Sequence, residues 1–251
     1  LEILLVIMPK LKHHIAWFTP LVIFLLVEYM HRSYIRVLPD ETHAQSPIAI
    51  YILSSIAVIL VLLSIFILVG KRNRKEFFIF SVTPTLLVIS QFCLMLFFES
   101  TWLVILAPAV YNSLLGMYLE NMHARYYRQE KFQDYSFGNI SGFLNILIIF
   151  SFSTAIYGFV RFLGFEVWIG TMIILGIVFF CALENIWMIH YRFADTARSY
   201  IFVIPLILLE FFWILNFLPS SIFVDGFIMA ILYYVFIGFA RNQILGIFSK
   251  R

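Results

Sequence analysis

Long apolar runs follow one another along this chain at nearly regular intervals, separated by short polar gaps. The hydrocarbon core of a bilayer is about 30 Å thick and takes about 20 apolar residues to cross as a helix. Eight runs reach that length. They extend over Ile15–Tyr34, Pro47–Gly70, Glu76–Phe98, Trp102–Met122, Ile140–Leu163, Val167–Ile189, Tyr200–Leu218 and Ile222–Arg241. None alternates with period two, so barrel strands are excluded. Inside hydrocarbon the backbone must bond to itself, and each run is therefore expected to be helical. The expected fold class is an all-α integral membrane protein of about eight transmembrane helices. Pro20, Pro84, Pro108 and Pro205 fall inside or near the starts of these runs. Each frees a carbonyl that a neighbouring helix or hydroxyl must take up.

Composition narrows the class further. The 251 residues are 63% hydrophobic and 12% charged, about half the charged share of a soluble domain. No gap between runs exceeds about 20 residues, which leaves no room for a soluble domain of its own.

The distribution of charge adds orientation. Fourteen of the 17 basic residues lie in the N-terminal tail, in alternate gaps and at the C-terminal end. Lys71, Arg72, Arg74 and Lys75 fill the second gap, and Arg125, Arg128 and Lys131 the fourth. Only Arg32, Arg36 and Arg161 fall on the opposite side. The positive-inside rule then places both termini in the cytoplasm, in a cytoplasmic or inner membrane. Trp102 and Trp168 sit at the expected outer boundaries, and Trp17 and Trp187 near inner ones, as interfacial anchors do. The basic loops suit anionic lipid headgroups or a partner subunit better than nucleic acid.

Four runs return the chain to its starting side, so the halves would share an orientation. Residues 1–14 are expected as a cytoplasmic tail or interfacial stub, 15–122 and 140–251 as two four-helix halves, and 123–139 as a cytoplasmic loop. Residues 1–7 are too short to span, carry no secretory signal features and are expected as a disordered or interfacial stub, an extension upstream of a start at Met8 being the alternative. Pro84 and Pro205 are 121 residues apart, as are Asn121 and Asn242. Arg36 and Arg161, each five residues before a glutamate, are 125 apart, so the register needs a small gap. These echoes suggest an internal duplication about a pseudo-twofold axis along the membrane normal.

Polar groups inside the runs are the only pointers to chemistry. A charge at the bilayer centre costs about 2.5–3.5 kcal/mol on insertion scales and ordinarily faces a bundle interior or water. Glu210 lies deepest, 11 residues beyond Ser199, or about 16 Å along the helix. Glu28 has Arg32 one turn on, a spacing that allows an ion pair. Gln91 and Asn112 sit near the middles of the third and fourth runs. Two accounts are open. In one, Glu210 and Glu28, with Gln91 and Asn112, build a protonatable or cation-coordinating site. In the other, Glu28 is neutralised by Arg32 and Glu210 is a protonated packing residue. Arg36 with Glu41, and Arg161 with Glu166, are expected as compensating pairs at the outer side, an anion clamp being the alternative.

Glu120-x-x-His123 has a spacing used in di-metal bundles, but those need more converging carboxylates and histidines than this chain supplies. The Glu120 and Glu184 tripeptides are read as solvated helix ends. No metal site and no cofactor is expected: HExxH, GxGxxG and P-loop motifs are absent. Ser141, at a run start, is read as a helix cap. With no nucleophile–base pair in view, an enzyme is not expected. The functional expectation is a small transporter or permease with a protonatable carboxylate site between two helical repeats. The alternative is a non-catalytic scaffold or accessory subunit that binds a partner or anionic lipid through its basic cytoplasmic loops. A homo-oligomer fits either.

Overall fold

In a computed structural model the described residues are 2–35, 48–69, 74–98, 100–128, 134–189 and 195–244. Among them the chain forms eight helices and no strand. These are α1 (Glu2–Ile35), α2 (Ile48–Val69), α3 (Arg74–Met95), α4 (Thr101–Tyr127), α5 (Asp134–Leu163), α6 (Val167–Ile189), α7 (Asp195–Asn216) and α8 (Ile222–Ile244). All eight are long and apolar enough to cross a membrane.

Several helices outrun the apolar runs that marked them. The segment expected as a loop at 123–139 is helical as far as Tyr127 and again from Asp134. Hydropathy marks where a chain would cross lipid, whereas a helix continues wherever its residues favour it and something anchors it. Met122, Ala124 and Arg125 are good helix formers. The extension is tied down by the Tyr127 hydroxyl, which donates to the Leu68 carbonyl at 3.0 Å, and by the Tyr126 hydroxyl on Glu76 Oε2 at 2.5 Å. α1 likewise begins at Glu2, inside the stretch read as a tail or stub.

The chain divides into two compact units, Leu1–Phe137 and Gly138–Arg251, with the first turn of α5 belonging to the first unit. In the first unit α1 packs on α2 and α4, α3 packs on α2 and α4, and α2 also touches α4. Its core is apolar, with Tyr118, Phe80, Leu87 and Leu115 fully enclosed. Neutral polar groups close gaps between helices. Thr19 of α1 and Ser64 of α2 share a hydrogen bond of 2.6 Å. Pro84 has no N–H for the Phe80 carbonyl one turn back, and the Tyr118 hydroxyl of α4 donates to that carbonyl at 3.0 Å. The proline gap in α3 is thus filled from the facing helix.

In the second unit α6 packs on α7 and α8, and α7 on α8. α5 meets α6 and α8 at two glycines. A Cβ on Gly226 would overlap the Thr154 hydroxyl and stand 3.0 Å from the Phe150 carbonyl, while one on Gly170 would come within 2.8 Å of Ile156. Small residues at such points let helix backbones approach closely, as helix packing in membranes favours. Gly164 turns α5 into α6 with φ +68°, a conformation that costs glycine nothing.

Candidate functional site

The second unit buries polar groups at both ends of α5. Near its start, Ser141 and Asn145 lie one helical turn apart and are fully enclosed. The Ser141 hydroxyl donates to Glu184 Oε1 at 3.0 Å, and the Asn145 amide reaches Glu184 Oε2 at 3.4 Å. Glu184, on α6, is 1% exposed. Beside it, the Asn185 amide donates to the Tyr233 hydroxyl of α8 at 2.8 Å and to the Cys181 carbonyl at 3.3 Å. A Cβ at Gly142 would come within 3.3 Å of the Asn185 side-chain oxygen, so the glycine leaves room for that amide. A carboxylate, two amides and two hydroxyls from three helices thus share one enclosed space. Such a set accepts a proton, or offers oxygen ligands to a hard cation.

At the other end of α5, Arg161 lies 2.6 Å from Asp225 Oδ2. Asp225 is wholly buried in the first turn of α8, and its other oxygen accepts the Ser220 hydroxyl at 2.5 Å. The same guanidinium donates to the carbonyls of Ser220, Leu215 and Leu218, at 2.6, 3.1 and 3.4 Å. It lies over the Tyr157 ring at 5.4 Å, and the Tyr157 hydroxyl bonds the Phe212 carbonyl. Between the two clusters, Ser153 and Thr154 are buried, with hydroxyls that find no hydrogen-bond partner among the described residues. A buried hydroxyl left unbonded costs about 1–3 kcal/mol, and that of Thr154 is packed against Gly226 of α8.

The residues expected from sequence are distributed differently. Glu28 is paired with Arg32 at 3.5 Å, with the arginine largely exposed. Gln91 and Asn112 do meet: the Asn112 amide reaches Gln91 Oε1 at 3.4 Å and the Pro108 carbonyl at 2.8 Å inside the first unit. Glu210 is exposed on α7, away from its own unit's core. Arg161 takes Asp225 rather than Glu166, whose residue is exposed and whose carbonyl instead accepts the first N–H groups of α6. The reason is enclosure. Asp225 lies at the buried junction of α5, α7 and α8, where a carboxylate has no water and must have a cation. Arg36, Glu41, Lys71, Arg72 and Lys131 lie outside the described residues. Arg125 stacks over Phe80 at 4.9 Å and Phe137 at 5.9 Å, and Arg128 is exposed at the end of α4.

Sequence reasoning placed Glu184 at a solvated helix end and passed over Asp225. The available signals were Ser141 and Asn145 at i and i+4 in an apolar run, and an Asp-Gly pair inside a span. Among the described residues no group of three or more His, Cys, Asp and Glu side chains is arranged to hold a metal ion. His123, buried at the end of α4, instead stacks on Tyr127 and faces His13 at 5.5 Å. No known protein family, curated protein or solved structure matches the chain.

Proposed function

We propose that this chain is a small permease that moves a proton or a small cation, with Glu184 as its exchanging carboxylate. The observation that carries this reading is the enclosure of Glu184 by the Ser141 hydroxyl and the Asn145 amide within an apolar bundle. Burying a polar set of this size without a task is costly, and intramembrane ionisable groups concentrate on ion pathways.

The proposal includes two like-oriented repeats with both termini in the cytoplasm. In favour of duplication, in each unit the second helix packs on the third, the third on the fourth, and the second touches the fourth. In favour of the orientation stands the basic bias of alternate gaps. The scaffold alternative has one observation on its side, the outward Glu210, and is compatible with transport.

The test is flux. The purified chain, reconstituted in liposomes containing a pH-sensitive dye, is expected to pass protons under an imposed potassium diffusion potential. Glu184→Gln keeps the shape and removes the exchangeable charge, and is expected to lower the rate at least tenfold. Equal rates for the folded wild type, the variant and empty vesicles would overturn the proposal for protons. Repeating the assay with sodium- and potassium-sensitive dyes decides the cation version.

A further inference from the structure

A carboxylate on an outward apolar face asks for an explanation that transport does not give. Glu210 lies within the apolar stretch Arg198–Asn216, six residues from its end, or about 9 Å along the helix. The face around it is open: Val203 is 44% exposed and Leu206 56%. Val203, Leu206, Glu210, Trp213 and Phe217 follow one another at spacings of three, four, three and four residues. The first four lie on α7 and Phe217 in the turn just after it, and this is the heptad repeat by which two helices wind along one another; a polar residue at such a seam fixes partner and register. Trp213 is propped by Trp168 at 5.3 Å, edge to face, which stiffens the seam.

From this placement we infer that the outward face of α7 is an assembly seam for one transmembrane helix of a different membrane protein, which carries a lysine or arginine opposite Glu210. Charge complementarity selects the occupant. A carboxylate exposed to hydrocarbon pairs with a cation where one is within reach. Among the described residues a second copy supplies no lysine for it. No lysine lies within the eight apolar spans. Among the described residues, the arginines at the corresponding helix ends, Arg32 and Arg161, are already paired with Glu28 and Asp225. The inference does not depend on the permease reading, because it uses neither Glu184 nor its surroundings.

The full chain, carrying a donor fluorophore in liposomes, would be titrated with acceptor-labelled synthetic transmembrane peptides. These are poly-leucine helices with a single lysine, leucine or glutamate placed six residues from the outer end. The lysine peptide is expected to associate at least tenfold more tightly than the leucine peptide, and the glutamate peptide least. Glu210→Leu is expected to erase the preference and Glu210→Gln to reduce it. Both variants place a neutral group on an already exposed face, so their unfolding transitions should match the wild type. Equal association of the lysine and leucine peptides, or a preference that survives Glu210→Leu, would overturn the inference. So would energy transfer between two copies of the chain that depends on Glu210 and is not displaced by the lysine peptide. That result would assign the seam to a homodimer. Loss of proton flux in Glu184→Gln leaves the peptide result untouched, so the two ideas fail separately.

Discussion

The two units use the same secondary structure and treat charge in opposite ways. In the first, the pair Glu28–Arg32 leaves its arginine 72% exposed, and the interior holds neutral bonds such as Gln91–Asn112 and Tyr118 on the Phe80 carbonyl. In the second, Arg161 is 20% exposed, Asp225 fully buried, and Glu184 enclosed as well. A pair with one partner in the open gains little, because water or headgroups already solvate that ion, here Arg32, although Glu28 itself is only 12% exposed. A buried pair has lost that solvation, and each partner depends on the other. One unit therefore holds its helices with apolar packing and neutral bonds and ties its sheltered glutamate to an exposed arginine, while the other encloses both partners of an ion pair.

The largest expected effect tests that contrast directly. Asp225→Ala strands the Arg161 guanidinium and is expected to destabilise the second unit by about 3–5 kcal/mol, read as unfolding in mixed micelles. Glu28→Ala, its counterpart in the first unit, is expected to cost less than about 1 kcal/mol. If the two losses were equal, the contrast would be wrong. Next in size is Gly226→Ala, where the new methyl has no space between α5 and α8. Overpacking of this kind costs about 1–3 kcal/mol, whereas Gly238→Ala on the same helix, with open space around it, should be nearly silent.

A smaller effect sharpens the account of the first unit. Tyr118→Phe keeps the ring and removes the donor to the Phe80 carbonyl, a loss of about 1 kcal/mol in a membrane-type interior. In a Pro84→Ala background the restored N–H satisfies that carbonyl, and the same change should cost almost nothing. A cycle that shows no coupling between residues 84 and 118 would remove the proline explanation. The smallest effect is expected for Arg32→Gln, which takes the exposed partner from Glu28 and should shift the midpoint barely beyond error.

These cases show what a sequence discloses. The eight helices were legible because crossing lipid imposes a length and a composition on each run. Their ends were less so: α4 runs on to Tyr127 through tertiary bonds to Leu68 and Glu76, which no local pattern displays. Glu210 had a readable depth but not a readable face, since the outward side of α7 depends on which side α6 and α8 cover. The partner of Arg161 was sought five residues away and lies 64 residues on, in the first turn of another helix. Glu184, four residues from the end of its apolar stretch, read as solvated until Ser141 and Asn145 of α5 stood against it.

The reach of Arg161 has a mechanical side. One guanidinium, anchored on α5, grips the last turn of α7, the loop after it and the first turn of α8. Three helices are knotted at that end, so a twist in any one of them is passed to the other two.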